Sequence, residues 1–323
     1  MAATWAAALR ELGHQVFTVA GEGVADRIVP GLAIDATEPV CAPAITAAVD
    51  GADVVVVENV CSLPLNPAAG TAVATALRGR PAVLHHHDLP WQRERFVGVE
   101  LPADDPRWHH VVINDLSRVQ LAERGFTATV VRNGFDVDEP PGDRARTRAA
   151  LGVETDERLV VHPVRAIPRK NIPGAIALAE ALGATYWLLG PPEEGYQREL
   201  DGVLAAARCR VMHGHAPGRV ADAYAASDAV VSPSTWEGFG NPLVESAIHR
   251  RPLGVGAFPV ARELAAFGFR WFPAADPGAL AAFLAQPDAA LLDHNRAVAR
   301  RHFSLDVLRH AIAGLFERAG WRP

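Results

Sequence analysis

At 323 residues the chain is about twice the length of a typical single domain, so two domains are expected. Apolar residues make up 49% and charged residues 21%, which excludes a disordered chain, a collagen-like repeat and a disulfide-stapled miniprotein. The net charge of −6, from 37 acidic and 31 basic side chains, argues against nucleic acid as a partner, because phosphate backbones reward a basic face.

Cys41, Cys61 and Cys209 are odd in number and far apart, the pattern of reduced thiols in a cytoplasmic protein. No apolar run approaches the roughly 20 residues of a membrane helix, so no integral membrane segment is expected. Arg10 and Glu11 come too early for a signal peptide. Of the 31 basic residues only Lys170 is a lysine, which marks it as a place where a compact ammonium serves better than a planar fork.

The chain opens in a helix from Trp5 to Gly13. Short β-branched runs then alternate with alanine-rich stretches: strands are expected at 15–20, 52–57, 82–87, 110–114 and 129–131, with helices at 45–49 and 71–78. Apolar strands alternating with helices predict a parallel sheet covered on both faces. Because a doubly wound unit normally begins with a strand and a glycine-rich turn, the first strand of this one is expected to be missing.

A second series follows residue 150, with strands at 159–164, 186–189, 210–213, 229–232 and 253–255 and helices at 172–182 and 219–226. Between the series, Asn133-Gly134-Phe135-Asp136 and the pair Pro140-Pro141 read as an interdomain crossing. The boundaries expected are 1–138 for an N-terminal acceptor-side domain, 139–303 for a donor domain, and 304–323 for a helix packing back towards the first. That helix starts at Ser304 and carries Leu305, Leu308, Ile312 and Leu315 on one face. Two such domains leave a cleft beyond the carboxyl ends of their strands, where ligands of these sheets bind.

Three segments carry chemistry. In Ser232-Pro233-Ser234-Thr235-Trp236-Glu237-Gly238-Phe239-Gly240-Asn241-Pro242-Leu243-Val244-Glu245, a strand ends, a glycine-punctuated loop follows, and a helix begins with Asn241 as cap and Pro242 first. Free N–H groups and the positive dipole end meet an anion there, while Glu237 and Glu245 suit sugar hydroxyls on either side. The same pattern also fits an ordinary helix start with two solvated acids. In the second segment, Arg165 leaves a strand end and Lys170 follows five residues on. Two cations so placed neutralise a diphosphate without a metal, although a solvated basic turn looks alike. In the third, His85-His86-His87-Asp88 ends a strand. His85 and His87 share a face, but a metal reading is weak because no third ligand stands at a recognisable spacing. Asp136-Val137-Asp138 resembles a metal-binding acidic triplet and is read as a turn, and Gly21-Glu22-Gly23 fails as a dinucleotide fingerprint because Asp26 replaces the third glycine.

With these residues in place, the chain resembles the retaining glycosyltransferases of family 4, which have the GT-B fold: two doubly wound Rossmann-like domains facing a cleft. The likeness rests on Arg165 with Lys170, on Glu237 with Glu245, and on the Asn133-Gly134-Phe135-Asp136 crossing, and it covers about residues 80–320. It implies that Arg165 and Lys170 bind the donor diphosphate, and that Gly238, Phe239, Gly240 and Asn241 hold sugar and phosphate. It further implies Glu237 beside the donor sugar, Glu245 on the ribose and His87 at the reaction centre. The implied reaction retains configuration and needs no metal or other cofactor, the partners being a nucleotide sugar and a saccharide or glycoside acceptor. The blocks Phe258-Pro259-Val260-Ala261-Arg262-Glu263-Leu264 and Phe269-Arg270-Trp271-Phe272 resemble an actinobacterial, mannosyltransferase-like branch, which ranks GDP-mannose before UDP-glucose.

Two other readings use the same residues: a nucleotide-sugar epimerase, and a sugar-nucleotide-binding module without turnover. A glycosidase fits less well, because Glu237 and Glu245 are better explained as ligand-holding groups than as an acid and nucleophile flanking one bond.

Overall fold

The computed structural model describes residues 1–215 and 218–323. The chain divides into two compact units, Met1–Gly134 with Leu305–Pro323 and Phe135–Ser304. The first crossing lies at Gly134, where a Cβ would come within 2.6 Å of the Leu308 side chain, so only glycine fits without a shift. Phe135 donates its N–H to the Phe303 carbonyl at 2.8 Å, so in the second unit the outgoing and returning strands of chain run side by side.

The first unit begins with helix α1 (Ala2–Glu11), followed by β1 (Val19–Ala20), β2 (Arg27–Ile28), α2 (Ala42–Ala48), β3 (Val55–Glu58), α3 (Pro67–Ala76), β4 (Ala82–His86), β5 (Trp108–Val112), α4 (Asp115–Ala122) and β6 (Ala128–Val130). Strands β3, β4, β5 and β6 form one parallel sheet in that order, with β4 buried along its whole length. The strand expected over 15–20 shrinks to Val19–Ala20. It pairs only with the two residues of β2, so among the described residues 15–18 have no ladder neighbour. Asp26 holds that small ladder closed by accepting from the N–H and hydroxyl of Thr18 at 2.7 and 2.8 Å.

The second unit contains α5 (Arg144–Leu151), β7 (Leu159–His162), α6 (Ile172–Ala181), β8 (Thr185–Leu188), α7 (Gln197–Ala205), β9 (Val211–His213), α8 (Val220–Ala226), β10 (Ala229–Ser232), α9 (Asn241–Ile248), β11 (Leu253–Val255), α10 (Pro259–Ala265), β12 (Phe272–Pro273), α11 (Pro277–Ala285) and α12 (Ala289–Phe303). Its six-stranded sheet is parallel in the order β12-β11-β10-β7-β8-β9. The chain winds outward from β7 to β9, then returns to β10 on the other side of β7. The order therefore reverses between β7 and β10, and the crevice at such a reversal is where ligands of open α/β sheets bind. Side chains of Asn171, Asp143, Asp276 and Asp288 cap four of the helices, satisfying N–H groups that a helix leaves open. Two arginines of α5 are tied to the end of α8. Arg144 and the buried Arg148 both reach the carbonyl of Ala226, at 2.8 and 2.9 Å, where α8 presents its negative dipole end.

Helix α13 (Leu305–Arg318) completes the first unit. Leu308, Ile312, Leu315 and Phe316 are buried against Trp5, Leu9 and the sheet residues Val83 and Val111. Leu305, expected on that face, is 37% exposed, and Phe316 takes its place one turn beyond Ile312. No helix among the described residues is long and apolar enough to cross a membrane.

Because Ile312 is fully buried among these side chains, Ile312→Ala is expected to cost about 2–5 kcal/mol. Urea unfolding of the purified chain measures it, and a loss under about 1 kcal/mol would show that α13 is not part of the core.

Candidate functional site

The loops that leave β7 and β10 are tied together at the reversal of the sheet. Thr235 donates its N–H to the Arg169 carbonyl at 2.9 Å, and the Asn171 amide donates to the Pro233 carbonyl at 3.2 Å. Asn171 sits in the left-handed region (φ 53°) and also caps α6, so one residue turns the chain and starts the helix.

These ties bring Lys170 to Glu237. The lysine Nζ lies 2.6 and 2.7 Å from the two carboxylate oxygens, with Lys170 8% and Glu237 4% exposed. Arg169 adds a bond to Oε2 at 2.9 Å and another to the Trp236 carbonyl, while the Ser234 hydroxyl donates to Oε1 at 2.7 Å. Two cations and one carboxylate leave this buried cluster with a surplus positive charge. Burial pulls the Lys170 ammonium below the ordinary lysine range, Glu237 pushes it back up, and Arg169 lowers it further.

Arg165 is placed differently from Lys170. Its side chain is 54% exposed and pairs with Glu193 at 2.5 Å, so the second cation on Glu237 is Arg169, a residue the sequence reading passed over.

Beyond Glu237 the loop continues through Gly238 to the buried Phe239, which is pinned between Phe135 and Phe303 at ring distances of 6.1 and 6.0 Å. Gly240 then adopts φ 86°, which favours glycine, and occupies the cap of α9. The expected cap, Asn241, is instead the first helical residue, because the left-handed turn has already been made at Gly240. Glu245, on the second turn of α9, accepts from the Tyr224 hydroxyl at 2.6 Å. Burial raises its carboxyl above the usual range and that hydroxyl partly offsets the rise. Tyr224 in turn stacks on His249 at 4.7 Å and 16°.

His87 belongs to the first unit, at the end of β4. Its Nε2 lies 2.5 Å from Glu58 Oε2, and the same oxygen lies 3.1 Å from Nδ1 of His85. Glu58 comes from β3, where the parallel register sets it beside His85. Asn59, at φ 64°, accepts from the backbone N–H groups of His87 and Asp88 and so fixes the turn that follows the strand. The third partner absent from the histidine run is therefore supplied by a neighbouring strand. No spacing within the run could have announced it; the strand-end acid in 52–58 was the available signal. The acidic triplet Asp136-Val137-Asp138 forms a turn, with Asp138 donating its N–H to Asp136 and its carboxylate paired to Arg300.

Residues 143–286 match the family described as Glycosyl transferases group 1. The matched segment lies within the second unit. The chain is similar to mannosylglucosylglycerate synthase of Petrotoga mobilis, 25% identical over 272 residues that cover 67% of this chain and 62% of that protein. It is also similar to D-inositol 3-phosphate glycosyltransferase of Mycobacterium tuberculosis, 31% identical over 216 residues that cover 62% and 44%. The chain thus spans less than two thirds of the length of either relative. Among solved structures it is similar to Anabaena HepE in complex with UDP-glucose, with a TM-score of 0.69, 21% identity and coverage of 86% and 82%. A glycosyltransferase from Rickettsia africae gives a TM-score of 0.74 at 14% identity, covering 98% and 93%. The fold is α/β with parallel sheets, of the GT-B class.

Burial raises the Glu58 carboxyl, but the hydrogen bonds from His85 and His87 outweigh it and hold the group near about 2, down from 4.5. A folded-state value below the unfolded one adds stability that is complete above pH 4.5 and lost as the pH falls towards 2. Wild type is therefore expected to melt above Glu58→Gln at pH 6, with the gap closing by pH 2.5. A gap that stays constant across that range would contradict the assignment.

Proposed function

We propose that the chain is a retaining glycosyltransferase that moves a hexose from a nucleotide sugar to a hydroxyl of a saccharide or small glycoside. The donor is GDP-mannose ahead of UDP-glucose, a ranking supported by the mannosyl product in the name of one relative. The observation that carries the reading is the buried Lys170–Glu237–Arg169 cluster at the reversal of the sheet, one loop away from the start of α9.

In this reading the second unit takes the donor. The cluster's surplus charge and the N-terminus of α9 attract the diphosphate, and Gly238, Phe239, Gly240 and Asn241 supply backbone to sugar and phosphate. Exposed ion pairs contribute about 0–1 kcal/mol, so Arg165 gives up Glu193 at little cost and turns to the diphosphate. Glu237, held rigidly by its cations, faces the donor sugar, and Glu245 accepts from the ribose. The C1–O bond to the diphosphate breaks as the acceptor oxygen bonds C1 on the same face. The acceptor's proton passes to the departing diphosphate, whose charge Lys170 and Arg165 stabilise without a metal. His87 is assigned to the reacting sugar, with the first unit as the acceptor side. The unpaired thiols Cys41, Cys61 and Cys209 support a cytoplasmic setting.

Nucleotide release by the purified chain tests this reading. Lys170→Ala is expected to lower turnover about 10²–10³-fold, as loss of one charge-stabilising donor does elsewhere. Arg165→Ala is expected to slow release while leaving the melting temperature within a degree or two, because its resting partner is an exposed carboxylate. Unchanged turnover in both variants, with GDP-mannose and UDP-glucose each tried, would refute the assignment.

A further inference from the structure

We propose that Glu58, His85 and His87 form a binding site for one divalent first-row transition ion, of which Zn²⁺ is the probe. The ligand atoms, one from each residue, all lie within 4.8 Å of one another. His85 Nδ1 and His87 Nε2 converge on a single carboxylate oxygen, at 3.1 and 2.5 Å. Two ligands about 2.1 Å from a tetrahedral ion stand about 3.4 Å apart, so modest opening of these contacts admits the ion. Two imidazoles and a carboxylate are a donor set suited to zinc, and with both carboxylate oxygens bound they supply four donor atoms.

The hydrogen-bonded arrangement leaves one feature unexplained. Glu58 Oε1 is buried and has no hydrogen-bond partner among the described residues, although carboxylate oxygens so placed are rarely left unsatisfied. An ion bound by both carboxylate oxygens removes that orphan, which the two imidazoles crowded on Oε2 cannot do. The buried Nε2 of His85 also has no partner among the described residues, and it lacks one whether Nδ1 holds a proton or a metal, so it favours neither state. The scaffold suits a metal as well. Glu58 and His85 are register partners on adjacent strands, and Asn59 locks the turn that carries His87.

An ion here takes Nε2 of His87, so occupancy controls whatever that imidazole does. The proposal stands on the first unit's geometry and holds whichever reaction the second unit performs.

Calorimetric titration of Zn²⁺ into the chelator-treated full chain tests it. One ion per chain is expected, with affinity reduced at least tenfold by Glu58→Gln and by His87→Ala. Co²⁺ is expected to give the intense visible absorption of a four-coordinate site in wild type and not in the variants, which separates a built site from loose surface histidines. Melting curves without metal verify that each variant is folded. If either substitution disrupts the fold, the wild-type stoichiometry and Co²⁺ spectrum decide. Absence of stoichiometric binding, Zn²⁺ affinity unchanged in both folded variants, or a Co²⁺ spectrum of purely octahedral character would each overturn the proposal.

Discussion

The second unit is organised around one carboxylate. Glu237 is nearly removed from water and receives four side-chain hydrogen bonds, two from Lys170 and one each from Arg169 and Ser234. Removing either charge of such a pair strands the other, at a cost of about 3–5 kcal/mol, so the loops after β7 and β10 are constrained together. A cluster of this kind is weak evidence for stability as such. Its value lies in position: it fixes an ammonium at the reversal of the sheet and sets the path of the chain into Gly240 and α9.

The first unit repeats the principle with different chemistry. Glu58 gathers two imidazoles at the carboxyl ends of β3 and β4, and His86, pointing to the opposite face, joins a separate chain through the buried His110 to the exposed Asp104. Alternation along one strand thus splits three consecutive histidines between two networks with different partners. In both units the carboxyl ends of parallel strands carry the polar side chains, while the strand interiors stay apolar.

Much of this was legible in the sequence because it is local. The apolar strands from Leu159 to Val255 announced themselves by run length, and the loop from Ser232 to Asn241 by its glycines. The lone lysine singled out Lys170, and Glu237 stood in the strongest motif, although nothing in the spacing said that the two would bond to each other. The misses are non-local. Arg169 looked like any basic neighbour until two loops 67 residues apart were tied together, and Glu58 became a partner of His87 only through strand register. Cap placement slipped by one residue at Asn241 because a left-handed glycine had already made the turn. Leu305 and Phe316 exchanged places because periodicity gives a stripe but not its edges.

In the proposed function the ammonium of Lys170, fixed by Glu237, holds the diphosphate of a hexose nucleotide. Calorimetric titration of GDP-mannose and UDP-glucose into wild type and Lys170→Met, both shown to be folded, addresses it most directly. Wild type is expected to bind at least one donor saturably, and the variant to bind it at least tenfold more weakly. Equal affinity in the two proteins, or no heat of binding from either donor, would contradict it.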